Sequence, residues 1–375
     1  IRWHLMPSSP PDKTPRLALP RTLRLTRPFG RTILLALVIL IVLAVGLETA
    51  ARQSAIQARL PAPGVGSSHT VFEVKLHLYE AWLDQRAQPA QTGETGADTP
   101  DCLFLGSSVV HHGLNPVRLE RAYQAQTGTA LDCFNFGLNG GRETAGLILA
   151  DVFTQDTPPD LIVFGVLPRM LNRQDPSPID GLPWIDYRLG DFSITGWLAD
   201  HSLAYGYGVM VGNQLFGEQF TWNQRRTAER DLARGDGHMP LRTAISRELA
   251  VARRDSIPGL DYALQPAGLA TFDRLLEFRE RTQIVVVIFP EHPITKAGYP
   301  ERATDYADML AQLRAHADAA GVPFWTADDL DFLLDDANWA DFSHLNPAGT
   351  QLFSQWLGEQ IGQAVAQGEI NLESE

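Results

Sequence analysis

DCLFLGSSVVHHGLNP, residues 101–116, is the stretch that decides the fold. Four apolar residues at 102–105 make a buried strand, Gly106-Ser107-Ser108 turns the chain, and Pro116 stands where the first turn of a helix tolerates proline. Strand, turn and helix in that order form the unit of a parallel sheet covered by helices. The alternation continues along the chain. Apolar runs at 131–136, 161–164, 284–289 and 322–325 read as four further strands, and helices are expected at 116–127, 142–153, 269–281, 306–320 and 348–363. The fold class is therefore α/β, with about five parallel strands.

About a hundred residues separate the third strand from the fourth, against a dozen or so in an ordinary crossover. Residues from about 172 to 268 are read as a mostly helical insertion. Its Trp184, Trp197, Tyr205, Tyr207, Phe216, Phe220 and Trp222 can form a lid, line a cleft, or simply make the core of a subdomain.

Towards the N-terminus, TILLALVILIVLAVG at 32–46 carries no charge. A spanning helix takes about 20 mostly apolar residues, so 32–51 is read as a transmembrane helix whose last turn lies at the interface. A cleaved signal peptide stays open because Ala50 and Ala51 are small, although no clear A-x-A site is present. Arg2, Lys13, Arg16, Arg21, Arg24, Arg27 and Arg31 precede the run, and Glu48 is the first charge after it. The positive-inside rule then places residues 1–31 in the cytoplasm and the rest outside, in an inner or plasma membrane protein. Six prolines make the basic tail disordered. Residues 52–100 read as a stalk with one helix near 71–86 and the polar linker AQPAQTGETGADTP, and the folded domain as 101–368.

The net charge of −13 is spread unevenly, since those basic residues lie in the tail. The folded part is strongly acidic, which excludes a nucleic-acid partner that needs a basic surface.

Ligands of an open parallel sheet bind at the carboxyl ends of its strands. Three groups of residues fall there. Ser107 and Ser108 follow the first strand, where helix N–H groups can stabilise an oxyanion or a serine can merely cap the helix. Asn135 to Gly141, in FNFGLNGG, follows the second, and its glycines allow a backbone N–H to approach a substrate. In DFSHLNPAGTQLF, residues 341–353, Asp341 stands three positions before His344 and can orient it as a general base, or can cap a turn. His111 and His112 are adjacent and point in different directions on a helix, and no acidic partner is spaced with them, so neither metal nor cofactor is expected. His292 in FPEHP is a substrate contact or an ordinary loop histidine. Cys102 and Cys133 each open a strand, and they form a disulfide if the two strands are neighbours or stay as two buried thiols.

The three blocks, in this order on these elements, resemble the SGNH or GDSL-like hydrolase superfamily. With its GSS variant and N-terminal anchor the chain is similar to extracytoplasmic members linked to envelope polysaccharide, including the D-alanyl transfer (DltD) group. The resemblance covers 101–170 and 283–363. It implies a flavodoxin-like three-layer sandwich with strand order 2-1-3-4-5. It implies Ser108 as nucleophile, His344 as general base and Asp341 as the group orienting it, with oxyanion donors at the N–H of Ser108 and of Gly140, next to Asn139. The family's third block usually reads Gly-x-Asn-Asp, but here stand Gly165, Val166, Leu167, Pro168 and Arg169. Arg169 or Asn172 is the candidate replacement for the missing asparagine. The implied function is an extracytoplasmic serine esterase or O-acyltransferase acting on an acylated envelope glycan, with an envelope biosynthesis complex as possible company. The alternative is a catalytically silent glycan-binding or assembly protein.

Overall fold

The computed structural model describes residues 27–92, 99–155, 157–173, 176–216, 222–242, 248, 251–252, 262–295, 300–327 and 329–372. Most of the basic tail, the centre of the polar linker and parts of the insertion lie outside these residues.

Helix α1, Arg27–Ala51, is apolar and exposed on every side, and its stretch 30–51 is long enough to cross a membrane. Ala51–Glu375 is a separate compact unit. It opens with the short α2 (Ser54–Gln57) and the long α3 (Thr70–Thr92), then alternates strands and helices. The strands are β1 (Asp101–Gly106), β2 (Asp132–Asn135), β3 (Leu161–Val166), β4 (Gln283–Ile288) and β5 (Phe324–Thr326). They form one parallel sheet in the order β2-β1-β3-β4-β5. The helices that follow them are α4 (Ser108–Gly113), α5 (Pro116–Thr127) and α6 (Glu143–Phe153). Next come α7 (Pro183–Arg188), α8 (Ile194–His201), α9 (Leu203–Phe216) and α10 (Trp222–Ala233), then α11 (Pro266–Leu276), α12 (Pro300–Ala320) and α13 (Pro347–Gln367).

Alternate strand residues sort onto two faces, as the pleat requires. Leu103, Leu105, Ile162, Phe164, Val286 and Ile288 face one core, packed by α3, α6, α11 and α12. Cys102, Phe104, Cys133, Val163, Val285 and Val287 face the other, packed by α4, α5 and α13. The result is the three-layer sandwich that the resemblance implies. Register sets Cys102 beside Cys133, and both are buried free thiols. Burial pushes both thiols up, Cys133 the further.

The segment read as a stalk contributes α3 to the first core. Phe72, Leu76 and Tyr79, spaced as one helical face, are buried there. Tyr79 packs against the rings of Phe134, Phe136 and Phe153, and Arg86 and Trp82 both bond the Asp132 carboxylate. α3 thus packs beside α6 at the β2 end of this face.

The insertion divides its aromatic residues. Trp184 is buried and meets Phe72 edge-on, whereas Phe192 and Trp197 are exposed. Phe220 and the side chain of Phe216 lie outside the described residues. α10 packs on α3, where the Arg225 guanidinium meets the Glu73 carboxylate at 2.8 Å. The chain then returns to the sheet at 235–239, where Asp236 O accepts from Asn135 N (2.8 Å) and Met239 N donates to His111 O (3.3 Å).

Candidate active site

β1 ends at Gly106, whose φ of 151° few residues with a side chain adopt. A Cβ there would stand 2.5 Å from both Gly165 O and Val110 Cγ2. Only glycine passes this turn without displacing β3 or α4. Ser107 takes the N-cap position and Ser108 begins α4, half-buried at the carboxyl edge of the sheet.

The second block of chemistry lies on the loop after β5. Trp339 pairs with Leu345 across a bridge, and Ala340 N donates to His344 O (2.8 Å). Asn346 then caps α13 by accepting from Ala348 N (2.9 Å) and Gly349 N (3.2 Å), while its amide donates to Ala337 O (2.6 Å). His292 braces the same loop from below, through its ring to Asp336 (3.1 Å) and its N–H to Phe342 O (3.1 Å). The loop is closed at both ends, so His344 has little freedom.

Within that frame His344 Nε2 lies 2.8 Å from Ser108 Oγ, and its Nδ1 lies 2.9 Å and 3.0 Å from the two oxygens of Asp341. Asp341 Oδ1 also accepts from the backbone N–H of Ser343 and of His344, both at 2.8 Å. Burial pushes the Asp341 carboxyl up, but the His344 ring and these two N–H groups outweigh it and hold the group below its ordinary value. An ionised carboxylate on Nδ1 keeps the proton there and leaves the Nε2 lone pair for the serine hydroxyl. Hydroxyl, imidazole and carboxylate in line can move a proton off Ser108 as it attacks a carbonyl carbon.

The loop after β2 is the one expected to carry the oxyanion donors. Leu138 N donates to Gly106 O (2.9 Å), tying the loop to the nucleophile turn. Gly140 has φ +72° and is exposed, and a side chain added there would meet nothing. Asn139 is exposed beside it, and its carbonyl accepts from His69 Nε2 at 2.6 Å.

The two candidate replacements for the missing asparagine are placed differently. Asn172 is committed elsewhere: its amide donates to Ala263 O (2.9 Å) and its Oδ1 accepts from Gln265 N (2.9 Å). It fastens the returning end of the insertion to the turn after β3. Arg169 stays at the active edge, in the turn Pro168–Met170, with Nε 2.7 Å from Glu291 Oε1 and its guanidinium over the Phe342 ring at 5.5 Å. Tyr262 donates to the other Glu291 oxygen at 2.6 Å.

His112, read only as a doubtful metal ligand, sits edge-on to the His344 ring at 5.8 Å. Its Nδ1 donates to Met239 O (2.7 Å), and burial pushes it down to about 4. His111 is buried beside it, and among the described residues no group of three His, Cys, Asp or Glu side chains is placed to hold a metal. Lys75 and His69 escaped notice because both lie in the segment read as a stalk. The helical spacing of Phe72, Leu76 and Tyr79 was the signal that this segment packs on the domain.

No family model and no curated protein matches the sequence. Among solved structures the chain is similar to a mutant of an acetyl-xylooligosaccharide esterase from Geobacillus stearothermophilus, at 13% identity and a TM-score of 0.37, over 70% of this chain and 94% of that one. It is also similar to a lipase/acylhydrolase from Enterococcus faecalis, at 12% identity and a TM-score of 0.36, over 74% of this chain and 100% of that one. Scores this low carry no functional weight, which falls instead on the geometry of the chain's own residues.

Proposed function

We propose that this protein is a serine esterase or O-acyltransferase of the SGNH kind, anchored by α1 with its folded unit outside the cytoplasm and acting on an acylated envelope glycan. The observation that carries the reading is the line Ser108–His344–Asp341, closed at 2.8 Å and 2.9 Å. Ser108 Oγ attacks the ester carbonyl carbon while His344 Nε2 takes its proton, and the carbonyl oxygen becomes the oxyanion. Collapse breaks the ester C–O bond, and the leaving alkoxide takes the proton from His344. Water or a sugar hydroxyl then gives its proton to His344 and its oxygen to the acyl carbon; the bond from that carbon to Ser108 Oγ breaks, and Ser108 takes the proton back from His344.

The glycan rests on the resemblance of the sequence blocks and on a polar cleft of about 760 Å³ lined by Asn115, Arg234, His238, Arg242 and Thr350. His238 and Thr350 both donate to the carbonyl of His112, whose ring abuts His344. The membrane placement rests on the length of α1 and on the basic residues before it.

Hydrolysis of p-nitrophenyl acetate by the full-length chain, beside Ser108→Ala and His344→Ala, tests the reading. Activity in the wild type and loss in both variants is expected; an inactive wild type would count against an esterase. One observation favours a silent glycan binder, namely that Asn172 is spent on 263–265 and leaves the third oxyanion position without an asparagine. A binder would hold polysaccharide equally well as Ser108→Ala and would resist serine-directed fluorophosphonates.

A further inference from the structure

Two bases from the segment between α1 and β1 reach the loop at 137–141. Lys75, on α3, has no exposed surface, and its Nζ donates to the carbonyl oxygens of Gly137 (2.5 Å) and Asn135 (2.8 Å), with Asn135 Oδ1 at 3.4 Å. None of these partners is a carboxylate. His69, just before α3, donates from Nε2 to Asn139 O, while its Nδ1 accepts from Phe72 N (3.1 Å). An amine buried without a counter-charge costs stability, and burial accordingly pushes the Lys75 pKa well down. An apolar side chain would fill the same space at less cost. What the lysine adds is the pinning of three oxygens.

Those oxygens belong to the residues that join the two halves of the site. Asn135 Nδ2 donates to Val110 O (2.8 Å) and Leu114 O (2.7 Å), gripping the helix that begins with Ser108, and Asn135 Oδ1 accepts from Gly137 N (2.9 Å). Gly140, further along the loop, is exposed and has the backbone freedom of glycine. Its N–H needs a fixed frame to point at a developing charge.

We infer that Lys75, with His69, is a positioning residue for acyl transfer: the pair holds the 137–141 loop so that the N–H of Gly140 meets the oxyanion formed by Ser108. The chemistry of this inference rests on the esterase reading. A structural consequence follows directly: the catalytic unit begins before α3, and a fragment started at residue 101 lacks the brace.

The test uses the full-length chain in detergent, with Lys75→Met and His69→Ala read by steady-state kinetics on p-nitrophenyl acetate and by amide hydrogen exchange. Lys75→Met is expected to lower kcat ten- to a hundredfold with KM within about twofold, because a displacement of about 1 Å at a reacting centre has effects of that size. Exchange at 137–141 should quicken at least about tenfold while β3 and β4 keep their protection. His69→Ala should act the same way at about three- to tenfold in kcat. A folded Lys75→Met with wild-type kcat and wild-type exchange in the loop overturns the inference. Should Lys75→Met fail to fold, His69→Ala decides alone, and unchanged kcat and exchange in it overturn the inference equally. A wild type that neither hydrolyses the ester nor labels with fluorophosphonate sinks the esterase reading and the role in transfer together, whereas an active wild type with unaffected variants sinks only the role of Lys75.

Discussion

The two sides of the site are held in different ways. On the acid–base side most ties are local: Asp341, Ser343 and His344 bond one another within four residues, the flanking bridge and helix cap lie immediately beside them, and one longer brace comes from His292 to Asp336 and Phe342. On the side proposed for the oxyanion, the loop after β2 is held by groups sixty to seventy positions away, at Lys75 and His69. A locally closed loop can be recognised from a dozen residues of sequence. A loop braced at long range depends on the packing of a helix that no short motif announces. The acid–base side should therefore resist distant changes, and the oxyanion side should feel them.

The largest expected effect is on the acid–base side. Ser108→Ala and His344→Ala should each remove at least about a thousandfold of kcat, and Asp341→Asn should fall in the same range, because losing the orienting carboxylate leaves the wrong tautomer at the serine. Steady-state kinetics with circular dichroism as a fold control checks this. Next comes the brace. The ten- to hundredfold loss expected of Lys75→Met, with no change in KM, would sharpen the contrast, and an equal loss from a surface change far from α3 would break it.

Gly106→Ala attacks both sides at once, since the turn carries Ser108 and accepts from Leu138 N. With φ at 151° and contacts at 2.5 Å to Gly165 and Val110, a methyl group should destabilise the fold by at least about 2 kcal/mol, readable by denaturant titration.

The smallest effect is one of pH. Glu143, at the start of α6, is buried, and burial pushes its carboxyl up to about 7 from 4.5. The folded state therefore holds this proton more tightly than the unfolded chain. Its stabilising contribution is present below about pH 4.5 and is lost as pH rises through about 7. Glu143→Gln keeps an acceptor for Leu167 N (3.3 Å in the wild type) and has no such proton to lose. Its Tm should exceed that of the wild type by a few degrees at pH 8 and not at pH 4.5. His112 runs the other way: pushed down to about 4 from 6.5, it favours the fold above pH 6.5 and stops doing so as pH falls through 4.

Much of the fold was legible because the strand runs are short and apolar and the first three are bounded by glycine or aspartate. The expected helix at 116–127 and the strand order 2-1-3-4-5 are those found. Boundaries moved where proline opens a helix, as at Pro266 and Pro347, a few residues and one residue earlier than periodicity suggested. The candidate site was legible where its residues lie in contiguous blocks, and the fold brings Ser108, His344 and Asp341 together. Asn172 is in the right stretch but is drawn away by the backbone of 263–265, a contact ninety residues long that spacing cannot reveal. The burial of α3 is only half legible: Phe72, Leu76 and Tyr79 mark its buried face, but Lys75 and Glu73 interrupt the apolar pattern and find their partners only in the fold.

The line from Asp341 to Ser108 is tested most directly by treating the full-length chain with a fluorophosphonate and locating the adduct by mass spectrometry, wild type beside His344→Ala. A single adduct on Ser108, lost or slowed at least about a hundredfold in the variant, is the predicted result; no adduct on Ser108, or equal labelling in both proteins, would contradict it.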